Sequence, residues 1–196
     1  HTNVCLGKPC ADPALIPSLL DENGEFHSSR TFRERFKRGE ELIDFDEACI
    51  EIRAQHDHFV EIVGREPDYF EAHAVMSKNL NRAISAVAQE LGLKEQKASF
   101  DPTAVVHCGD TDLRMVMHSM EPGYEPKDSI MQTVREMADG ETVVFVCHPG
   151  YLDRFILENS SLTTDRTKEV DALIDPELRA WLEAQDDLHL IDYRDL

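Results

Sequence analysis

The run Thr142-Val-Val-Phe-Val-Cys147 constrains the fold more than any other stretch of this 196-residue chain. It is apolar and β-branched with no polar alternation, the pattern of a strand covered on both faces. It stops at His148-Pro-Gly, a turn signal. Elsewhere the period changes. Leu42, Phe45, Cys49, Ile52, His56, Phe59 and Ile62 recur at steps of three and four, which predicts a helix over 40–63 closed by Gly64. Ser77 to Leu91 predicts a second helix, with Ser77 as N-cap and Gly92 as stop. Helices are also expected over 128–138, near 165–174, and over 176–185 with Pro176 in the first turn. Short strands are expected at 1–4, in "PDYFEAH", at 104–108 and in "HLIDY" near the end. "GKPCADPALIPSLLDENGEF", with three prolines and two glycines, predicts a long surface loop, and 109–127 gives no clear element. Strand and helix alternate across gaps too long for hairpins. The expectation is an α/β fold of parallel βα units, barrel or open sheet, in one domain over 1–196.

The totals narrow the partners. Asp and Glu number 39 against 20 Lys and Arg, a net charge of -19. Such a field repels phosphate backbones and anionic lipid, so nucleic acid and membrane are not expected partners, whereas a neutral small ligand is tolerated. No run of 18 apolar residues suggests a transmembrane helix. The start carries no basic segment followed by an apolar one, so no signal peptide is expected. The cysteines are Cys5, Cys10, Cys49, Cys108 and Cys147. An odd count without CxxC spacing argues against a disulfide framework or a zinc knuckle and for a reducing cytoplasm.

In parallel α/β folds, functional groups gather at the carboxyl ends of strands. His73, His107 and His148 fall at or near such ends, and His1 is a fourth candidate. Glu71 and His73 are two apart, so on a strand they share a face, and the carboxylate could hold the free N–H of an imidazole ligand. His1 and Asn3 have the same spacing. Neutral imidazole suits Zn, Fe, Ni or Mn, and less typically Mg. His56 and His58 resemble an HxH pair, but residues two apart on a helix do not face each other. One semi-buried and one exposed histidine is the expectation there. His107 and Cys108 point to opposite faces, and His27, His118 and His189 lack a supporting context. The acidic pairs at 40–41 and 186–187 and the basic cluster over 30–38 read as solvated surface. No phosphate-binding glycine loop, GxSxG elbow or HExxH is present.

Several segments in order carry a resemblance: "HTNVCLGKP" with "PSLLDENGEFH", then "REPDYFEAHAV", then "VVFVCHPGYLD" with "SSLTTDRTKEV", and "DYRDL". Together they resemble the YdjC-like carbohydrate deacetylases, which include chitooligosaccharide deacetylases. The resemblance implies a TIM-barrel-like parallel βα barrel, here incomplete at the N-terminus. It implies removal of acetyl groups from N-acetylated sugars, with a small carbohydrate as substrate and a homodimer allowed. It also implies a divalent cation, magnesium first, with zinc or manganese as alternatives. His1 and His73 match the family's metal histidines, and His148 of "CHPG" matches its catalytic histidine. Glu71, Tyr151, Arg166 and Arg194 become supporting or substrate-binding candidates. Two departures stand out. The family has Asp where this chain has Glu71, with further histidines where Ala74, Val75 and Met76 stand. The family's Asp-Asp strand, source of a metal ligand and the general base, is expected upstream of His1. The rival expectation is a non-catalytic carbohydrate-binding relative or an inactive fragment.

Overall fold

A computed structural model describes residues 1–96, 105–119 and 121–196. Of the predicted strand at 104–108, Ala104 lies outside the described residues, and so does Met120 within the unassigned stretch. Contacts divide the chain into two compact units. The first gathers described residues of 1–99, 106–111 and 193–196; the second gathers those of 100–105 and 112–192.

In the first unit, helix α1 spans Ser29–Lys37, α2 spans Phe45–Val63 and α3 spans Lys78–Leu91. α2 begins later than its apolar stripe suggests. The Asp44 carboxylate accepts from the N–H groups of Asp46 and Glu47, satisfying donors that a first turn leaves open. Gly64, at φ +76°, closes it in a left-handed conformation that a side chain would resist. The inner part of the stripe is buried at Cys49, Ile52 and His56, whereas Phe59 and Ile62 face solvent. α3 follows its signals: Ser77 Oγ accepts from Leu80 N–H at 2.9 Å, and Gly92 terminates it. Leu80, Ala83, Ile84 and Val87 pack with Ile52, Val4, Ile16 and Leu19 into one core. Truncating a side chain there, such as Leu80→Ala, costs about 2–5 kcal/mol.

The long proline-containing segment is more than a surface loop. Pro13–Leu15 and Pro17–Leu19 form 3-10 turns, and Ile16 and Leu19 are fully buried. Proline at the first position of each turn needs no partner for its missing N–H. A row of acceptors on α2 fixes the segment. Glu47 accepts from Ser18 N–H at 2.6 Å, and the fully buried Glu51 accepts from Cys10 and Ala11 N–H at 3.0 and 2.9 Å. Gln55, one turn further, exchanges two hydrogen bonds with the backbone of Asn3.

Strand pairing in this unit is mixed. Thr2 bridges Ala72 in parallel, β1 (Tyr69–Glu71) pairs parallel with β2 (Lys94–Gln96), and β2 pairs antiparallel with β3 (Val105–Cys108). In the second unit, β4 (Thr111–Val116) and β5 (Thr142–Phe145) are parallel, joined through α4 (Pro126–Glu136). Such a crossover is what parallel neighbours require. α5 (Arg154–Asn159), α6 (Thr164–Leu173) and α7 (Pro176–Glu183) follow.

The fold is therefore mixed α/β. The expectation of exclusively parallel pairing fails at β2–β3, and only Gly109 and Asp110 separate β3 from β4, a gap no βα unit fits. β5 is half-buried along its length, so its apolar run reports β-branched preference rather than two covered faces. "HLIDY" forms no strand. Its Tyr193 ring instead stacks on Tyr69 at 4.2 Å and its hydroxyl donates to Gln96. All five cysteines are free thiols, and no described helix is long and apolar enough to cross a membrane.

Candidate active site

Two clusters hold the candidate residues, one in each unit. In the first, parallel bridging sets His1 beside the end of β1: Thr2 N–H donates to the Glu71 carbonyl at 2.7 Å. The i, i+2 spacing predicts Glu71 on the same face as His73. Glu71 Oε2 lies 2.9 Å from His1 Nε2, across the strands. β1 ends at Glu71, and Ala74 at φ +49° turns the chain just beyond His73, so strand alternation no longer governs His73. His1 Nδ1 lies 3.2 Å from His73 Nδ1, with the ring centroids 5.5 Å apart. His1 is 56% exposed and Glu71 18%.

The chemistry of this cluster follows from which nitrogen is engaged. A carboxylate accepting from Nε2–H keeps the His1 proton there and turns the Nδ1 lone pair toward His73. The Glu71 hydrogen bond raises the His1 pKa above its ordinary value, partial burial opposes this, and the Glu71 charge adds to the rise. Two nitrogens 3.2 Å apart fit two ligands of one divalent cation, since imidazole ligands sit about 2.0–2.1 Å from zinc. Among the described residues, no group of three or more His, Cys, Asp or Glu is arranged to hold a metal ion. Asn3 is structural, its backbone gripped by Gln55 and its Oδ1 accepting from Cys5 N–H.

In the second unit, β5 delivers the chain to His148. The turn that follows is held by α6 through the main chain. His148 N–H donates to Glu169 Oε2 at 2.6 Å, and Arg166 Nη1 donates to the His148 carbonyl at 3.2 Å. Gly150 N–H donates to the Arg166 carbonyl at 3.3 Å. Glu169 is fully buried, and its other oxygen accepts from Tyr124 Oη at 3.1 Å. The His148 ring meets the fully buried Ser119, with Nδ1 3.4 Å from Oγ. Burial first, and the Glu169 charge second, push the Cys147 thiol up to about 11. The same two causes raise the Tyr124 phenol above its usual range. Cys147 is thus a neutral thiol and a poor nucleophile.

Residues 1–184 match the family model described as YdjC-like protein. The chain belongs to the YdjC-like family. Carbohydrate deacetylase 2 of Listeria innocua is 28% identical over 199 residues, covering 100% of this chain and 75% of that protein. Carbohydrate deacetylase of Geobacillus stearothermophilus is 27% identical over 201 residues, covering 100% and 74%. Chitooligosaccharide deacetylase of Serratia marcescens is 27% identical over 192 residues, covering 92% and 70%. A crystal structure from Enterococcus faecalis V583, assigned provisionally to cellobiose-phosphate cleavage, superposes with a TM-score of 0.78 at 22% identity, over 100% of this chain and 76% of that one. At that identity it speaks for the fold alone.

On this YdjC-like frame the structure brings His1, Glu71 and His73 together in one unit, and His148 with Arg166 in the other. Tyr151 is 80% exposed in the loop after His148, and Arg194 lies in the exposed C-terminal segment of the first unit. His107 is exposed on β3. His56 and His58 follow the expectation against an HxH pair. The His56 ring is buried edge-on against Phe70, with Nε2 2.6 Å from Glu66, whereas His58 is exposed. Sequence reasoning missed Ser119, Tyr124 and Glu169. Glu169 lies in "SSLTTDRTKEV", and its i, i+3 relation to Arg166 on a helix was the available signal.

Proposed function

We propose that this protein is a metal-dependent carbohydrate deacetylase that hydrolyses the N-acetyl group of an amino sugar or chitooligosaccharide. The observation that carries this reading is the pair of Nδ1 atoms 3.2 Å apart, with Glu71 holding the far nitrogen of His1. Family membership and the names of the relatives support the reaction class. His1 and His73 would hold the cation, with magnesium, manganese or zinc as candidates. A divalent cation there supplies Lewis-acid polarisation and a more acidic water.

The chain's own residues do the rest. Glu71 holds the Nε2 proton of His1 and so turns Nδ1 toward His73, the nitrogen that a cation would take in place of a proton. His148 would give a proton to the leaving nitrogen as the amide C–N bond breaks and a water oxygen bonds to the acetyl carbon, and it would regain a proton from that water as acetate forms. The products are acetate and a free amino sugar. Arg166 acts on His148 through its carbonyl. Tyr151, exposed beyond the turn, offers a ring face to a sugar. A neutral sugar suits a surface of net charge -19. We read the fold as a TIM-barrel variant, supported by the parallel pairings of Thr2 with Ala72, β1 with β2 and β4 with β5. We place the protein in the cytoplasm, where its five free thiols stay reduced.

The test is acetate release from N,N'-diacetylchitobiose by metal-stripped protein with magnesium, manganese or zinc restored. The two-donor set among the described residues favours one alternative, a carbohydrate-binding relative without turnover. Sugar binding without acetate release under any of the three cations would select it.

A further inference from the structure

We propose that Glu169 is a positioning residue that holds His148 in its working geometry through the main chain. This rests on the reading of His148 as the proton donor. Glu169 and Arg166 lie three apart in α6, so they project from one face of the helix. From there they take both polar groups of a single residue. The carboxylate accepts the His148 N–H at 2.6 Å, and the guanidinium donates to the His148 carbonyl at 3.2 Å. Fixing both ends of one residue's backbone fixes the origin of its side chain. Ser119 Oγ, 3.4 Å from Nδ1, then constrains how the ring turns.

Placement of the carboxylate argues for a dedicated role. A fully buried carboxylate is costly unless its oxygens are satisfied. Among the described residues, Glu169 meets that need with one hydrogen bond from a side chain, Tyr124 Oη, and a shorter one from the His148 main chain. Its two oxygens are taken up by the His148 N–H and the Tyr124 hydroxyl, so it holds the segment that carries His148. Displacement of a reacting group by about 1 Å costs about a hundredfold in rate.

The experiment uses the full chain as wild type, Glu169→Ala, Glu169→Gln and Arg166→Met. It measures kcat and KM for acetate release from N,N'-diacetylchitobiose, normalised to folded protein, and the NMR shift of the His148 amide proton. Glu169→Ala is expected to lower kcat about a hundredfold with KM little changed, and to move the His148 amide upfield. Glu169→Gln keeps an oxygen for the His148 N–H and an NH2 for the Tyr124 oxygen, so it should recover most of the lost kcat. Arg166→Met, which leaves Glu169 in place, should lower kcat in the same direction. Wild-type kcat in Glu169→Ala would overturn the proposal. So would a loss in Glu169→Gln as deep as in Glu169→Ala, because that would make the charge the requirement. If Glu169→Ala does not fold, the Glu169→Gln and Arg166→Met arms decide by the same criteria. If wild-type protein releases no acetate, the deacetylase reading falls, and an unchanged His148 amide shift in Glu169→Ala would then overturn the positioning claim separately.

Discussion

Two fully buried glutamates, one in each unit, perform the same physical task on different loops. Glu51 of α2 accepts from the N–H groups of Cys10 and Ala11, and Glu169 of α6 accepts from the N–H of His148. In both, a helix reaches out with a carboxylate to satisfy backbone donors that no strand or helix can pair. The difference lies in what the held loop carries. The Glu51 loop contributes Ile16 and Leu19 to the core, so its fixation is a matter of stability. The Glu169 turn carries an imidazole with a half-buried surround, so its fixation is a matter of geometry. Glu71 adds a third mode: it holds a ring rather than a backbone, and it leaves the opposite ring nitrogen available.

Substitutions that separate holder from held sharpen this contrast. The largest effect is expected at the held group itself. His148→Ala should lower kcat for acetate release by about 10²–10⁴-fold and leave cation affinity at wild-type level in a calorimetric titration. Equal loss of cation affinity would erase the distinction between the two clusters. Next comes Glu71→Ala. Loss of a carboxylate that orients a ligand typically weakens metal binding about 10–100-fold, and calorimetry with manganese or zinc would read it. His73→Ala should be worse than Glu71→Ala; the reverse order would mean the Nδ1 contact is only a hydrogen bond between rings.

Glu51→Ala tests the stability side. It orphans two backbone donors and should cost about 1–3 kcal/mol in urea unfolding, while kcat of the folded protein stays near wild type. A large kcat loss without destabilisation would break the contrast between Glu51 and Glu169. The smallest effect is expected at His56. Burial lowers its pKa, but hydrogen bonds to Glu66 and Asp57 outweigh that and raise it above 6.5. A raised folded pKa means the charged pair stabilises fully at pH below 6.5, and that contribution is lost as pH rises through the folded value. With Glu66 and Asp57 both exposed, the contribution is about 0.5 kcal/mol. His56→Gln should reduce the stability difference between pH 6 and pH 8, read by urea unfolding, by about 0.5 kcal/mol.

Residues whose role depends on local period were legible in the sequence. The stop at Gly64 and the cap at Ser77 each follow from the chemistry of one position, whereas the strand expected to reach Cys147 ends at Phe145. The separation of buried His56 from exposed His58 follows from helix geometry alone. What escaped depends on partners distant in the chain. The i, i+3 spacing places Glu169 on the helix face of Arg166 but does not show that its carboxylate meets a backbone 21 residues earlier. Nor does the sequence around Glu51 show that its carboxylate serves a loop about 40 residues away. The i, i+2 spacing points Glu71 toward His73, and the contact it does not show is the one across the strands to His1. The strand expected in "HLIDY" failed for a similar reason: Tyr193 finds a ring, Tyr69, rather than a ladder.

The most direct measurement is acetate release from N,N'-diacetylchitobiose by metal-stripped protein as a divalent cation is titrated back, run in parallel on His73→Ala. The account predicts turnover that rises with cation, saturates, and is lost in His73→Ala together with cation affinity. Turnover that ignores the cation, or cation binding that survives His73→Ala unchanged, would contradict it.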